Sequence, residues 1–103
     1  MMYEVDRVLL DVKPEIRVGD RVFAVDDRMS TFIKMNRVLA EAETQVVEFD
    51  VVISHGLSDE ALMEIKAMEL SFAATHRVAM LVMAAMQGIS EDEARRRFQS
   101  NIE

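Results

Sequence analysis

The spacing of apolar positions changes character near residue 27. Before it, PEIRVGDRVFAVD (Pro14–Asp26) holds two short alternating runs on either side of Gly19-Asp20. A Gly-Asp pair between such runs predicts a two-residue hairpin loop, with glycine supplying the positive φ of a type II′ turn. That loop sets the register: Val18 faces Arg21, Ile16 faces Phe23 and Pro14 faces Val25. Ile16, Val18, Phe23 and Val25 then share one apolar face, opposite Glu15, Arg17, Val22 and Ala24, as expected of a hairpin with one side buried on a helical layer. The preceding YEVDRVLLDV (Tyr3–Val12) is a candidate third strand.

After residue 27 the period becomes helical. Phe32, Met35, Leu39 and Ala42 recur at steps of three, four and three and line one helix face, with Asp26-Asp27 placed to cap it. The next stretch, TQVVEFDVVISHG (Thr44–Gly56), reads two ways. Val47, Phe49, Val51 and Ile53 alternate with other residues and are rich in β-branching, which suits a strand. Gly56 sits where a helix would end, and Ser58-Asp59-Glu60 opens another helix at once, which suits a helix. Both readings stay open on the residues alone. Ser58 then caps DEALMEIKAMEL, and Ser71 caps FAATHRVAMLVMAAMQ, which stops at Gly88. Ser90 and Glu93 form a capping box for EDEARRRFQSNI, with Ile89 and Ala94 at the positions of a hydrophobic staple. The expectation is an α+β chain, mostly α, in a single domain spanning 1–103. A β-hairpin region (1–26) of two or three strands packs on a bundle of about four to five helices in 27–103.

RVAMLVMAAMQ (Arg77–Gln87) contains nine consecutive apolar residues, Val78–Met86. That is far short of the roughly 18 needed to span a membrane. At about 100° per residue, Val78, Ala79, Val82, Met83, Met86 and Phe72, joined by Leu81, Ala74 and Ala85, cover an arc about 200° wide. An arc that broad predicts the central helix of the domain. The opposite side holds Met80 among Ala73, Ala84, Arg77, His76 and Gln87. One reading has the helix wrapped on all sides by its own chain. The other makes Met80, Ala73, Ala84 and Arg77 a dry strip for a partner or a second copy, which the adaptable methionine suits.

Composition narrows the function classes. The 103 residues carry 19 acidic and 12 basic side chains, a net charge of −7. That balance disfavours nucleic-acid binding, which calls for a basic footprint. The acidity is concentrated in 29–70, with eight acidic against three basic side chains. There is no cysteine, so disulfides and cysteine-based metal or nucleophile chemistry are excluded. The acid-bearing N-terminus is unlike a signal peptide. The expectation is a cytoplasmic protein without membrane contact.

Candidate chemistry is sparse. His55 lies beside Ser54, Ser58 and Asp59, the residue types of a hydrolytic triad, but sequence neighbours seldom present that geometry and a capping cluster is the plainer reading. His76 has no Cys, Asp or Glu three or four residues away, so a metal site is not indicated. Glycine-rich phosphate loops and the GxSxG and HExxH patterns are absent. Arg95-Arg96-Arg97 spans about 200° of a helical wheel and is not one flat patch. No catalytic, metal or cofactor residue is expected, and no enzyme.

The order of segments resembles a known family. EIRVGDRVFAVDD leads into TFIKMNRVL. An acidic middle follows, and then EIKAMELSFAATHRVAMLVMAAMQGISEDEARRRFQ. This resembles the small tail assembly chaperones of long, non-contractile-tailed phages and prophages of Gram-positive hosts. The nearest pieces are GDRVFAVDD, the LSF junction at Leu70–Phe72 and the ending QGISEDEARRRFQ, within Lys13–Gln99. The resemblance implies a non-enzymatic protein that binds the tape measure protein and the tail tube protein in the host cytoplasm. It implies absence from the mature virion, a frameshifted longer form beside it, and self-association into a homo-oligomer. It also suggests that Gln45–Ser54 is helical, although so β-branched a segment departs from the family. No residue is carried over as a site. The competing expectation is a small regulatory adaptor or antitoxin-type protein that binds one partner.

Overall fold

The computed structural model describes residues 1–5, 13–94 and 96. Strands β1 (Glu15–Val18) and β2 (Arg21–Ala24) pair antiparallel with Val18 opposite Arg21 and Ile16 opposite Phe23. Gly19 takes φ +61°, as the loop requires. The amide of Val25 donates to the Pro14 carbonyl at 2.9 Å, extending the ladder by the expected pair. Ile16, Phe23 and Val25 are buried and Val18 is half-buried, while Glu15, Arg17, Val22 and Ala24 face outward. Alternation therefore chose the correct face. The candidate third strand falls mostly on 6–12, outside the described residues.

Helix α1 (Met29–Leu39) buries Met35 and half-buries Phe32 and Leu39. Its cap differs from the expectation. Arg28 occupies the N-cap position, and its side chain makes no capping hydrogen bond to the helix. Asp26 lies two residues too early to cap and serves as a knot instead. Its carboxylate accepts from the Arg28 backbone amide (3.1 Å), from Arg28 Nε (3.0 Å) and Nη2 (2.8 Å), and from Thr31 Oγ1 (2.9 Å). Its own amide donates to the Gly56 carbonyl at 2.8 Å. One residue thus joins the end of the hairpin, the start of α1 and the end of the following helix.

That following element is a helix, α2 (Gln45–Gly56), as the family resemblance implied. Thr44 Oγ1 accepts from the Val47 amide at 3.2 Å and starts it. The buried residues Phe49, Val52, Ile53 and Gly56 stand at i, i+3, i+4 and i+7. Val47, which strand alternation would bury, is 45% exposed. β-Propensity is a weak preference, and tertiary burial of a helical stripe overrides it here.

Helix α3 (Asp59–Ala67) and helix α4 (Phe72–Gln87) begin as expected, with Ser58 Oγ accepting from the Ala61 amide and Ser71 Oγ from the Ala74 amide. Gly88 closes α4 at φ +67°. Another helix begins at 91–94, where Ser90 Oγ accepts from the Glu93 amide and Ala94 is buried. Arg95 and Arg97 lie outside the described residues; Arg96 is exposed.

Helix α4 occupies the centre, packed on α2 along one side and on β1 along another, while α1 packs on α2. Arg21 of the hairpin reaches α3 through a 2.6 Å ion pair with Glu64. The described residues therefore form an α+β, mostly helical fold: an N-terminal two-stranded hairpin against four helices and the start of a fifth. Its core holds Val25, Met35, Phe49, Val52, Met80 and Val82, all essentially inaccessible, and each such side chain stabilises by roughly 1.5–3 kcal/mol through burial. No helix among the described residues is long and apolar enough to cross a membrane.

Candidate functional site

The strip anticipated on α4 is not a surface. Met80 is 1% exposed and Ala84 is buried with it, so neither can meet a partner while the chain keeps this fold. Ala73 and Arg77 are exposed, but the Arg77 guanidinium forms an ion pair with Glu91 of the next helix. The wheel divided α4 by angle, whereas the fold divides it by length. Its C-terminal part, Val78–Met86, is buried almost all round, and its first turn stands clear. Phe72, which the wheel assigned to the buried arc, is 57% exposed.

The exposed first turn of α4 borders a groove. On one wall α2 supplies Val46, Phe49, Asp50 and Ile53; on the other α3 supplies Leu62, Ile65 and Lys66, with Glu69 just past its end. The α2 set follows the i, i+3, i+4, i+7 spacing of a helical stripe, and the α3 set its i, i+3, i+4 part. Ile53 and Ile65 are buried, while Val46 is 61% exposed. Leu70 and Thr75 complete the lining of this cavity of about 260 Å³. Phe72 rests edge-on against Phe49, with ring centroids 5.2 Å apart, and the His76 ring lies 5.2 Å from the same phenyl. These aromatic contacts fix the wall that Phe49 forms.

The groove's polar rim is simple. Lys66 Nζ stands 4.0 Å from Asp50 Oδ1 across the opening, a long and exposed pair worth little to stability. Glu69 stands at the end of α3 with φ +50°. Its carboxylate has no hydrogen-bond or ion-pair partner among the described residues.

A second, larger recess of about 580 Å³ lies where α1 turns into α2, lined by Asn36, Leu39, Glu43, Gln45 and Glu48 among others. Burial pushes the Glu48 carboxyl above its ordinary value. No group of three His, Cys, Asp or Glu among the described residues could hold a metal ion there or elsewhere.

The residues of the triad pattern do not assemble. Ser54 Oγ and His55 Nδ1–H both donate to the Val51 carbonyl of their own helix, at 3.2 and 2.7 Å, and Ser58 is occupied as a cap. No polar or charged residue is buried among the described residues. The groove residues were hidden in the sequence because the alternation of 47–53 masks the helical stripe Val46, Phe49, Asp50, Ile53. What the residues of α3 would face could not be read from the sequence either. Comparison with protein families, with curated proteins and with solved structures gives no match to this chain.

Proposed function

We propose that this protein is a non-enzymatic tail assembly chaperone of a long, non-contractile-tailed phage or prophage, which holds the tape measure and tail tube proteins soluble in the host cytoplasm during morphogenesis. The observation that carries this reading is the open apolar groove on an acidic part of the chain. Its walls come from α2 and α3, Val46 among its lining residues is exposed, and the exposed Phe72 packs on its Phe49. A client with helical apolar periodicity finds there a surface of matching period. The net charge of −7 keeps the free chain dispersed while that surface waits. The segment order set out above gives the phage context.

Coexpression with the tape measure protein encoded nearby tests the reading. The expected result is a rise in the soluble fraction of that protein and its co-purification with this chain. Unchanged solubility with no co-purification would sink it. Co-purification with a single toxin or regulator in place of tail proteins would turn it into the adaptor reading.

A further inference from the structure

We propose that the cavity between α2 and α3 is an anchor site for one indole ring, the side chain of a tryptophan on a partner helix. The inference deepens the reading given above and rests on it for the groove as the surface that meets a partner. Size is the first argument. At about 260 Å³ the cavity falls short of the roughly 300–1,000 Å³ of sites that enclose a whole small ligand. It suits one large side chain. Tryptophan, tyrosine and arginine are the residues most often found as such anchors in protein interfaces. The lining favours a ring among them. Phe49, Ile53 and Ile65 line the cavity and are buried, and a ring entering there packs on Phe49 as Phe72 already does edge-on.

Hydrogen-bond chemistry chooses among the rings. Asp50, Glu69 and Thr75 all line the cavity, and all three offer it acceptors. Carboxylate oxygens only accept. The Thr75 hydroxyl spends its proton on the Ser71 carbonyl at 2.8 Å, so its remaining capacity is to accept. An occupant that brings a donor and no acceptor matches this set. Among neutral aromatic side chains, tryptophan alone is of that kind. Glu69, which has no hydrogen-bond or ion-pair partner among the described residues, takes the indole N–H. Lys66 is the one donor in the lining. Its ammonium is held only by the exposed 4.0 Å pair with Asp50 and can turn to the face of the ring. Free tryptophan fits less well, because its own carboxylate would meet those of Asp50 and Glu69. Within a chain that group is a neutral amide.

The chain contains no tryptophan, so tryptophan fluorescence reports on an added peptide alone. The probe is a capped helical peptide of alanine and glutamine with one central tryptophan, titrated with the full chain. Peptides with phenylalanine, leucine or N1-methyltryptophan in its place, and free tryptophan, compete against it. The tryptophan peptide should show a blue shift and a rise in anisotropy, with a dissociation constant below about 1 mM. The competitors should bind at least about tenfold more weakly, since none makes the hydrogen bond to a charged group from within a peptide. Asp50→Ala with Glu69→Ala in one chain should weaken the tryptophan peptide about tenfold and leave the phenylalanine peptide within about twofold. Both positions are exposed, and circular dichroism verifies the fold; Glu69→Ala alone replaces the pair if needed. No binding up to about 1 mM would overturn the proposal. So would a competitor that matches the tryptophan peptide, or a double variant that weakens every peptide alike. Peptide binding without co-purification of tail proteins would support the site and sink only the chaperone role. Co-purification at wild-type yield of a tape measure protein with all its tryptophans replaced would sink the site and leave that role standing.

Discussion

Gly56 lies against Val82 so closely that a Cβ on Gly56 would collide with the Val82 Cγ1 methyl. The sequence suggested a helix-ending glycine there, but Gly56 is the last helical residue of α2 and does not take positive φ. Its role is close approach: it lets the end of α2 press onto the middle of α4. Val82 is wholly buried and stiff at χ1, so its methyl cannot swing aside. Gly56→Ala should therefore destabilise by about 1–2 kcal/mol, since overpacking outweighs the ~1 kcal/mol that alanine gains over glycine in a helix. Thermal unfolding should show a fall of roughly 4–10 °C. In combination with Val82→Ala the loss should be less than additive, by at least about 0.5 kcal/mol. Additive losses would mean that the two residues do not share the contact.

Met80 is the sharpest test of how α4 is buried. With 1% of its surface exposed, Met80→Asp places an unpaired charge in the core and should unfold the chain. Met80→Ala should cost about 2–5 kcal/mol through lost contacts and a residual cavity. Met63→Asp, at an exposed position on α3, should change stability by less than about 0.5 kcal/mol. Chemical denaturation of the three variants reads the contrast. A folded Met80→Asp protein would place that residue at a surface after all.

The elements set by local chemistry were legible in the sequence. The hairpin register followed from a two-residue loop and alternation, and Ile16 does meet Phe23. Ser58, Ser71 and Ser90 announced helix starts because a serine hydroxyl answers an orphan amide within the same turn. What escaped depended on contacts far apart in the chain. Whether 45–56 coils or extends was settled by its burial against α4, which no local pattern states. The wheel found α4 to be central, yet could not tell that its first turn projects beyond the core while Met80 is enclosed. The groove is lined by residues of α2, α3 and the start of α4 that are far apart in the chain, so it became visible only once the helices were placed.

Asp26 should give the chain a pH-dependent element. Hydrogen bonds from Arg28, aided by Thr31, hold its carboxyl well below the usual carboxylate range despite some burial. The unfolded chain, with Asp26 near its ordinary 3.8, takes up the proton first, so stability falls as pH falls. The contribution is whole above about pH 5 and is lost as pH drops below about 4 toward the depressed folded value. Asp26→Asn should cost about 1 kcal/mol near neutral pH, a figure kept small by solvent around the Arg28 pair. The difference between wild type and variant should shrink in denaturation curves taken below pH 4. A difference that stays constant down to pH 2 would show that the carboxylate charge contributes nothing.

Among the described residues, two helices end in the left-handed conformation, one on a residue suited to it and one not. Gly88 closes α4 at φ +67°, where its amide donates toward Ala84 and Ala85 and a Cβ would meet nothing within 4 Å. Glu69 follows α3 at φ +50°, with its amide donating to the Lys66 carbonyl at 3.2 Å. A non-glycine residue there costs about 1–2 kcal/mol in backbone sterics. Glycine in the same place avoids that cost but has more freedom to lose from the unfolded chain, about 0.4–1 kcal/mol. Glu69→Gly should therefore stabilise by up to about 1 kcal/mol, while Gly88→Ala, facing open space, should destabilise by about the same amount from backbone strain alone. Glu69→Gln removes the charge and keeps the strain, so it should leave the melting temperature nearly unchanged. Parallel thermal melts of the three variants separate backbone from charge. If Glu69→Gly melts no higher than Glu69→Gln, the left-handed turn stores no strain.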